Sequence, residues 1–210
     1  MAEQPLDRPF WERRWEQALR EHADALANRP PNAHLVAEIG ELAPGLALDA
    51  GCGHGAEAIW LAESGWRVTA VDFSTVALDH ARASATAVGA EVAGRIDWVE
   101  GDLGTWRPRS SHFDLVSCLY VHVTGPVGAF VRRLSAGVAP GGTLLLVGHL
   151  PVDPSTGEPS PAAGQVQVSV EEAVGALTPG EWEVVAAEER VRAGGDGADA
   201  VVRARRRPAP

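Results

Sequence analysis

LALDAGCGHGAEAIWLAESGWRVTAVDFS, residues 46–74, reads as strand, glycine turn, helix and strand, with an acidic residue closing each strand. Leu46, Ala47 and Leu48 form a short apolar run suited to a strand buried on both faces, and they lead into Asp49-Ala50-Gly51-Cys52-Gly53-His54-Gly55. Glycines at this turn let the backbone bend sharply and bring its N–H groups close to a ligand, which a Cβ would obstruct. A helix is expected from about Gly55, with Ala56, Ile59, Trp60, Leu61 and Ala62 on its apolar face, and Ser64-Gly65 ends it. Residues 67–72 are the second strand, closing on Asp72. The result is one βαβ unit with a nucleoside-sized crevice at the carboxyl ends of its strands.

The spacing of the glycines narrows the nucleoside. A dinucleotide fingerprint is G-x-G-x-x-G, with the helix N-terminus facing a pyrophosphate. Here the glycines alternate as G-x-G-x-G, and Asp49 precedes them by two positions, where its carboxylate would repel a pyrophosphate. The same carboxylate suits a ligand carrying a cationic amine, and Asp72 suits a pair of ribose hydroxyls. S-adenosylmethionine has both parts and no phosphate.

At these residues the chain resembles the class I S-adenosylmethionine-dependent methyltransferases, whose first motif is D/E-x-G-x-G-x-G and whose second is an acidic residue ending the next strand. The resemblance runs from about residue 31 to the C-terminus. It is nearest to the tellurite-resistance/thiopurine-like small-molecule methyltransferases common in bacteria. It implies a donor site built from Asp49, Gly51, Cys52, Gly53, Asp72 and Phe73, the last against the adenine. Asp102, with Leu103 beside it, matches the place where the family has an acid that accepts from the adenine amino group. A solvated turn aspartate is the plain alternative for Asp102, and an NAD- or flavin-binding turn is the alternative for the glycine motif.

Length and composition bound the rest. A chain of 210 residues is long enough for one α/β domain with a full core. No run approaches a membrane span, and the N-terminal residues lack the basic-then-apolar order of a signal peptide, so a cytoplasmic location is expected. Cys52 and Cys118 are the only cysteines, and free thiols are expected. The balance of 18 basic and 28 acidic residues, net −10, disfavours a nucleic-acid substrate because no broad basic field would gather phosphates. The expected partner is a small methyl acceptor, with neither membrane nor nucleic acid involved, and the chain is a monomer or homodimer.

Before the motif, Phe10, Trp11, Arg14, Trp15 and Leu19 fall at helical spacing, so an amphipathic helix carries two tryptophans four apart. Relatives in the thiopurine-like group fold such an opening helix over the cofactor. Residues 1–43 are accordingly expected to form N-terminal helices that serve as a lid, with plain packing as the alternative, and residues 44–210 to form the methyltransferase domain. Asn28-Arg29-Pro30-Pro31 breaks the first helix, and Asn32 caps a second over 33–42.

After Asp72, Ser74 or Thr75 caps a helix to about Val88, with His80 on its surface, and 89–95 is read as a loop. Strands follow at 95–100, 112–118 and 143–149, with a helix over 128–139 and Pro140-Gly141-Gly142 as a turn between the last two. The proline- and glycine-rich stretch 150–165 is expected to be a loop bordering the acceptor pocket. Ser169-Val170-Glu171-Glu172 is a capping box opening a short helix. Residues 182–191 and 198–204 close the chain as an antiparallel hairpin around 194–197, and Arg205-Arg206-Arg207 is read as a solvated tail. The fold expected is α/β, a Rossmann-like doubly wound sheet of seven strands, mostly parallel with the last antiparallel, and helices on both faces.

Cys118 and the residues after it should reach the crevice beside the sulfonium methyl. No N/D-P-P-Y run stands there, which points away from DNA, RNA and glutamine N-methylation. His122 is a candidate general base, since an ordinary imidazole with a pKa near 6.5 takes a proton from a thiol or acidic hydroxyl near neutrality. A histidine that merely shapes the pocket is the alternative. His149, emerging on the same sheet edge, is the second candidate. Neither has a metal-ligand spacing, so no metal is expected. Aromatic faces of Trp11, Trp15 and Tyr120 would stabilise a cationic donor without competing as nucleophiles. The activity expected is methyl transfer to a small thiol, metalloid or hydroxyl acceptor. A non-catalytic donor-binding module, an NAD-dependent oxidoreductase and an aminopropyl transferase of the same fold are the competing readings.

Overall fold

The structure is a computed structural model that describes residues 7–122, 125–150, 157, 168–192 and 197–208. In chain order the elements are α1 (Arg8–Ala27), α2 (Ala33–Ile39), β1 (Leu46–Ala50), α3 (Ala56–Glu63), β2 (Arg67–Asp72), α4 (Thr75–Val88), α5 (Ala90–Ala93) and β3 (Ile96–Glu100). β4 (Phe113–Leu119), α6 (Val127–Ser135), β5 (Val138–His149), α7 (Val170–Gly175), β6 (Trp182–Val191) and β7 (Ala198–Arg206) follow. The seven strands form one sheet in the order β3-β2-β1-β4-β5-β7-β6, with β7 antiparallel to both its neighbours.

The strand residues explain the layering. Leu48 and Ala50 of β1, Val116 and Cys118 of β4, and Leu144 and Leu146 of β5 pack in one cluster with Phe130, Val131 and Leu134 of α6. The intervening Ala47, Leu115, Leu145 and Val147 pack in a second cluster with Leu35 and Ile39 of α2, Leu61 of α3 and Leu78 of α4. Alternate side chains of a strand point to opposite faces, so continuous apolar runs require helices on both sides. The chain leaves β1 towards β2 and β3 and returns to β4 on its other side, and that reversal opens a crevice at the carboxyl ends of β1 and β4.

Local signals are met at the caps. Asn32 accepts from the N–H groups of His34 and Leu35, Ser74 from Ala77, and Ser169 from Glu172. Asp7 caps α1 by accepting from Phe10 N–H at 3.0 Å, and the helix continues to Ala27, well past Leu19.

Three details depart from the sequence reading. Residues 89–95 contain a helical turn, α5, because Ala90, Glu91, Val92 and Ala93 are bracketed by Gly89 and Gly94. Pro140, Gly141 and Gly142 do not precede β5 but bulge within it, between the pairs Phe113–Val138 and Leu115–Thr143, and α6 consequently stops at Ser135. Arg205 and Arg206 are not a solvated tail: Arg205 pairs with Thr143 and Glu183, and Arg206 donates to Val138 C=O at 2.6 Å and to Ser111 Oγ at 2.9 Å. Most of the loop read over 150–165 and the turn at 193–196 lie outside the described residues.

Candidate functional site

The crevice widens into a cavity of about 1230 Å³ whose lining is drawn from the ends of β1, β2, β4 and β5, from the segments after β1, β2, β3 and β4, and from α1. Of the residues singled out in the sequence, Asp49, Gly51, Cys52, Gly53, Asp72, Phe73, Asp102, Leu103, Trp11, Trp15, Tyr120, His122 and His149 all line it. Cys118 does not. It is 2% exposed in the α6-side core, because it shares strand parity with Val116 and so points to the sheet face rather than out of the strand end.

On the β1–β2 side the polar groups are arranged around acids. Asp72 accepts from Gly53 N–H and Ser74 N–H, each at 2.9 Å, through different oxygens, which leaves a second lone pair on each oxygen. Burial pushes its carboxyl up, against those backbone donors. Asp49 is 2% exposed; Ser117 Oγ lies 3.4 Å from its Oδ1, and its Oδ2 has no hydrogen-bond partner among the described residues. Burial, then the charge of Glu57, drive the Asp49 carboxyl well above the usual carboxylate range. Glu57, on α3, accepts from Asn32 N–H at 3.1 Å and is itself pushed up by burial. A buried carboxylate without a partner is costly, and a cationic ligand group beside it removes that cost.

Two glycines set how closely a ligand can approach. Gly51 has φ +83°, and a Cβ there would overlap Val121 Cγ2. Gly53 has φ +49°, and a Cβ would sit 2.8 Å from Trp15 Cζ2. Gly53→Ala is therefore expected to combine left-handed strain, roughly 1–2 kcal/mol, with displacement of Trp15, and to lower the thermal midpoint by about 3–8 °C. Gly141, with φ +84° and nothing within 4 Å of where a Cβ would stand, supplies the matched control: a Gly53→Ala midpoint no lower than that of Gly141→Ala would show that the Trp15 contact carries no energy.

α1 borders the opposite wall. Glu12 accepts from Ser74 Oγ at 2.7 Å and from Thr75 N–H at 3.0 Å, joining α1 to the N-terminal end of α4 beside Asp72. These donors hold the Glu12 carboxyl below its ordinary range although burial works against them. Trp11 stacks on His122 at 4.9 Å between ring centroids, and Trp15 lies 5.8 Å from His54. His122 Nδ1 and His54 Nε2 are buried without hydrogen-bond partners among the described residues. Burial lowers both histidines to about 4, with His149 and Arg14 adding to the effect at His122 and Arg29 and His80 at His54. Burial under Trp11 thus works against the ordinary imidazole basicity expected for His122.

A group that the sequence reading missed stands at the other end. Asp199, fully buried at the start of β7, accepts from Tyr120 Oη at 2.9 Å and from Arg192 Nη2 at 2.7 Å, and lies 3.0 Å from His149 Nδ1 and 3.2 Å from His34 Nε2. Those donors hold its carboxyl far below the usual range despite burial. Nothing in residues 197–200 marks Asp199 as a site residue; only the antiparallel pairing of β7 with β5 carries it to the cavity edge, directly opposite His149. Asp102, by contrast, is exposed and accepts from Gly104 N–H at 2.7 Å, closing its own turn while facing the cavity.

Comparison with known proteins matches this geometry to a class. Residues 47–142 match the model of the family described as a methyltransferase domain. A ubiquinone biosynthesis O-methyltransferase of Xanthomonas euvesicatoria pv. vesicatoria is 33% identical over 168 residues, 79% of this chain and 65% of that protein. The chain spans from 39% to 65% of the length of the curated relatives it matches. Among solved structures, an S-adenosylmethionine dependent methyltransferase from Mesorhizobium loti superposes with a TM-score of 0.65 at 20% identity, over 82% of this chain and 95% of that one. The magnesium protoporphyrin IX methyltransferase of Synechocystis PCC 6803, with bound SAH, gives 0.62 at 20% identity, over 98% of this chain and 90% of that one.

The matched segment contains β1, its glycine turn, Asp72 and β4, and the comparisons support a class I S-adenosylmethionine-dependent methyltransferase. The Asp49 oxygen that has no partner among the described residues and the close-approach glycines fit S-adenosylmethionine as the donor. Among the described residues no helix is long and apolar enough to cross a membrane.

Proposed function

We propose that this chain transfers a methyl group from S-adenosylmethionine to the hydroxyl of a small-molecule acceptor. The observation that carries the reading is one continuous cavity holding both the acidic donor end and the aromatic and histidine-lined end. At about 1230 Å³ it exceeds the roughly 300–1,000 Å³ usual for one drug-sized ligand, which leaves room for an acceptor beside the donor. The O-methyltransferase names of the curated relatives support oxygen as the acceptor atom over the thiol or metalloid also expected from sequence.

Asp72 would take the ribose hydroxyls through its remaining lone pairs, Asp49 the amino-acid end with its cationic amine, and Phe73 and Leu103 the adenine. When bound, the donor supplies an electrophilic methyl on a sulfonium with a good leaving group. The protein's share is then orientation, exclusion of water and acceptance of the acceptor's proton. Residues 1–43 would serve as the lid, a reading supported by Trp11 and Trp15, which line the cavity from α1, and by Glu12, which bonds to Ser74 at the start of α4.

Calorimetry with S-adenosylmethionine, S-adenosylhomocysteine and NADH, followed by a screen of hydroxyl, thiol and metalloid acceptors with methyl-labelled donor, tests the reading. The expected result is binding of the first two ligands and label on a hydroxylated acceptor. Binding without transfer to any acceptor would leave only a donor-binding module, and preference for NADH would overturn the donor assignment.

A further inference from the structure

We propose that His149, oriented by Asp199, is the group that accepts the acceptor's proton, and that Asp199 is its positioning residue. This rests on the function proposed above and narrows the acceptor to one that must lose an O–H proton.

The pair is built into the sheet. His149 ends β5 and Asp199 opens β7, and the two are direct cross-strand partners in the antiparallel register. Val147 and Val201, two residues further in, pack in the α2-side cluster, so the pair stands on the same face at the sheet's carboxyl edge. Asp199 is 1% exposed at its side chain whereas His149 is 29% exposed and lines the cavity, so the carboxylate is behind the imidazole as seen from the acceptor space. Tyr120 fixes the ring from one side, stacked at 4.1 Å between centroids with 26° between planes. It holds that position at a cost. Its φ of +57° is left-handed, a strained conformation for a residue with a Cβ, and its hydroxyl is anchored between Asn32 Nδ2 at 3.0 Å and Asp199 at 2.9 Å.

The tautomer decides what the ring does. His149 Nδ1 lies against both Asp199 Oδ1 and Arg192 Nη2. The guanidinium can only donate and the carboxylate can only accept, so the two compete for Nδ1, and a proton-accepting role for the ring requires the tautomer in which Nδ1–H makes a charge-assisted bond to the buried carboxylate. That tautomer puts the ring's basic lone pair on Nε2. As methyl transfer proceeds, the acceptor oxygen's lone pair becomes the new O–C bond, the methyl–sulfur bonding pair stays on sulfur, and the O–H proton passes to Nε2 and then to solvent. The imidazolium so formed is stabilised by Asp199. His122, lowered to about 4 by burial, lacks both the basicity and the carboxylate.

Among the described residues, the charged and titratable groups at the pair are Arg192 after β6 and Tyr120 and His122 after β4, with His34 on α2 against Asp199. Two measurements on the full chain test the assignment. Long-range proton–nitrogen NMR of the ligand-free, nitrogen-15 histidine-labelled protein, with His149→Gln for assignment, is expected to show His149 protonated at Nδ1. A ring protonated at Nε2 overturns the proposal without any need for turnover. In the methyl-transfer assay His149→Gln is expected to lower kcat by about 10²–10⁴-fold while calorimetric donor affinity stays within threefold. Asp199→Asn should lower the plateau and move the acid limb of the kcat/KM profile to lower pH, because the imidazole loses its anionic partner; a purely structural role would lower the plateau and leave the limb in place. If the parent methylates and His149→Gln does so within threefold, this inference alone fails. If the parent methylates nothing, the reading on which it rests fails with it.

Discussion

Asp72→Ala is expected to weaken S-adenosylmethionine binding by about 10²–10⁴-fold, since two ribose hydroxyls would lose a charged acceptor at roughly 1.5–3 kcal/mol each. The expectation depends on the geometry as well as the charge. Both carboxylate oxygens are already fixed by the Gly53 and Ser74 N–H groups, so the remaining lone pairs are aimed before any ligand arrives. The same bonds mean that removing the side chain frees the glycine turn, and circular dichroism with a thermal scan must show that the variant is folded. Asp72→Asn, which keeps the shape and loses the charge, gives a second reading of about tenfold or more. Calorimetric affinity of Asp72→Ala within threefold of the parent would mean that the crevice holds the donor in some other way.

The second large effect is on stability in acid. His54 and His122 each have a native pKa of about 4, whereas the unfolded chain's histidines titrate near ~6.5. The unfolded state therefore takes up protons first. Stability is fully present above about pH 6.5 and is lost as pH falls towards 4. A gap of this size caps the effect at about 3 kcal/mol per histidine, and partial contact with water reduces it to roughly 1–2 kcal/mol.

Asp49, Asp72 and Glu57 work the other way, because their carboxyls are raised in the native state and hold protons more tightly there than in the unfolded chain. The parent's own pH curve mixes these signs, so the informative quantity is a difference. In urea titrations at pH 7, 5.5 and 4, the parent is expected to lose roughly 2–4 kcal/mol more than the His54→Gln, His122→Gln double variant. Parallel curves for the two proteins would show that neither ring is desolvated as Trp11 and Trp15 place them.

Sequence alone determined the βαβ unit at 46–74, because its signals are local. An apolar run too continuous for an exposed strand, glycines at positions of positive φ, and a carboxylate closing each strand all act within a few residues of one another. It also located the parts of the cavity lining that follow the parallel strands, since in a doubly wound sheet the residue after each such strand falls at the same edge. Cys118, in the core and outside the cavity lining, shows the limit of that rule: strand ends share an edge, but parity sends alternate side chains into the core. Tertiary structure alone decided the rest. Asp199 reaches the site only because β7 runs antiparallel between β5 and β6, so the start of that strand, not its end, lies at the functional edge. The low basicity of His122 is likewise invisible in sequence, since it arises from burial under Trp11, a residue more than a hundred positions away whose placement depends on Glu12 docking at the N-terminal end of α4.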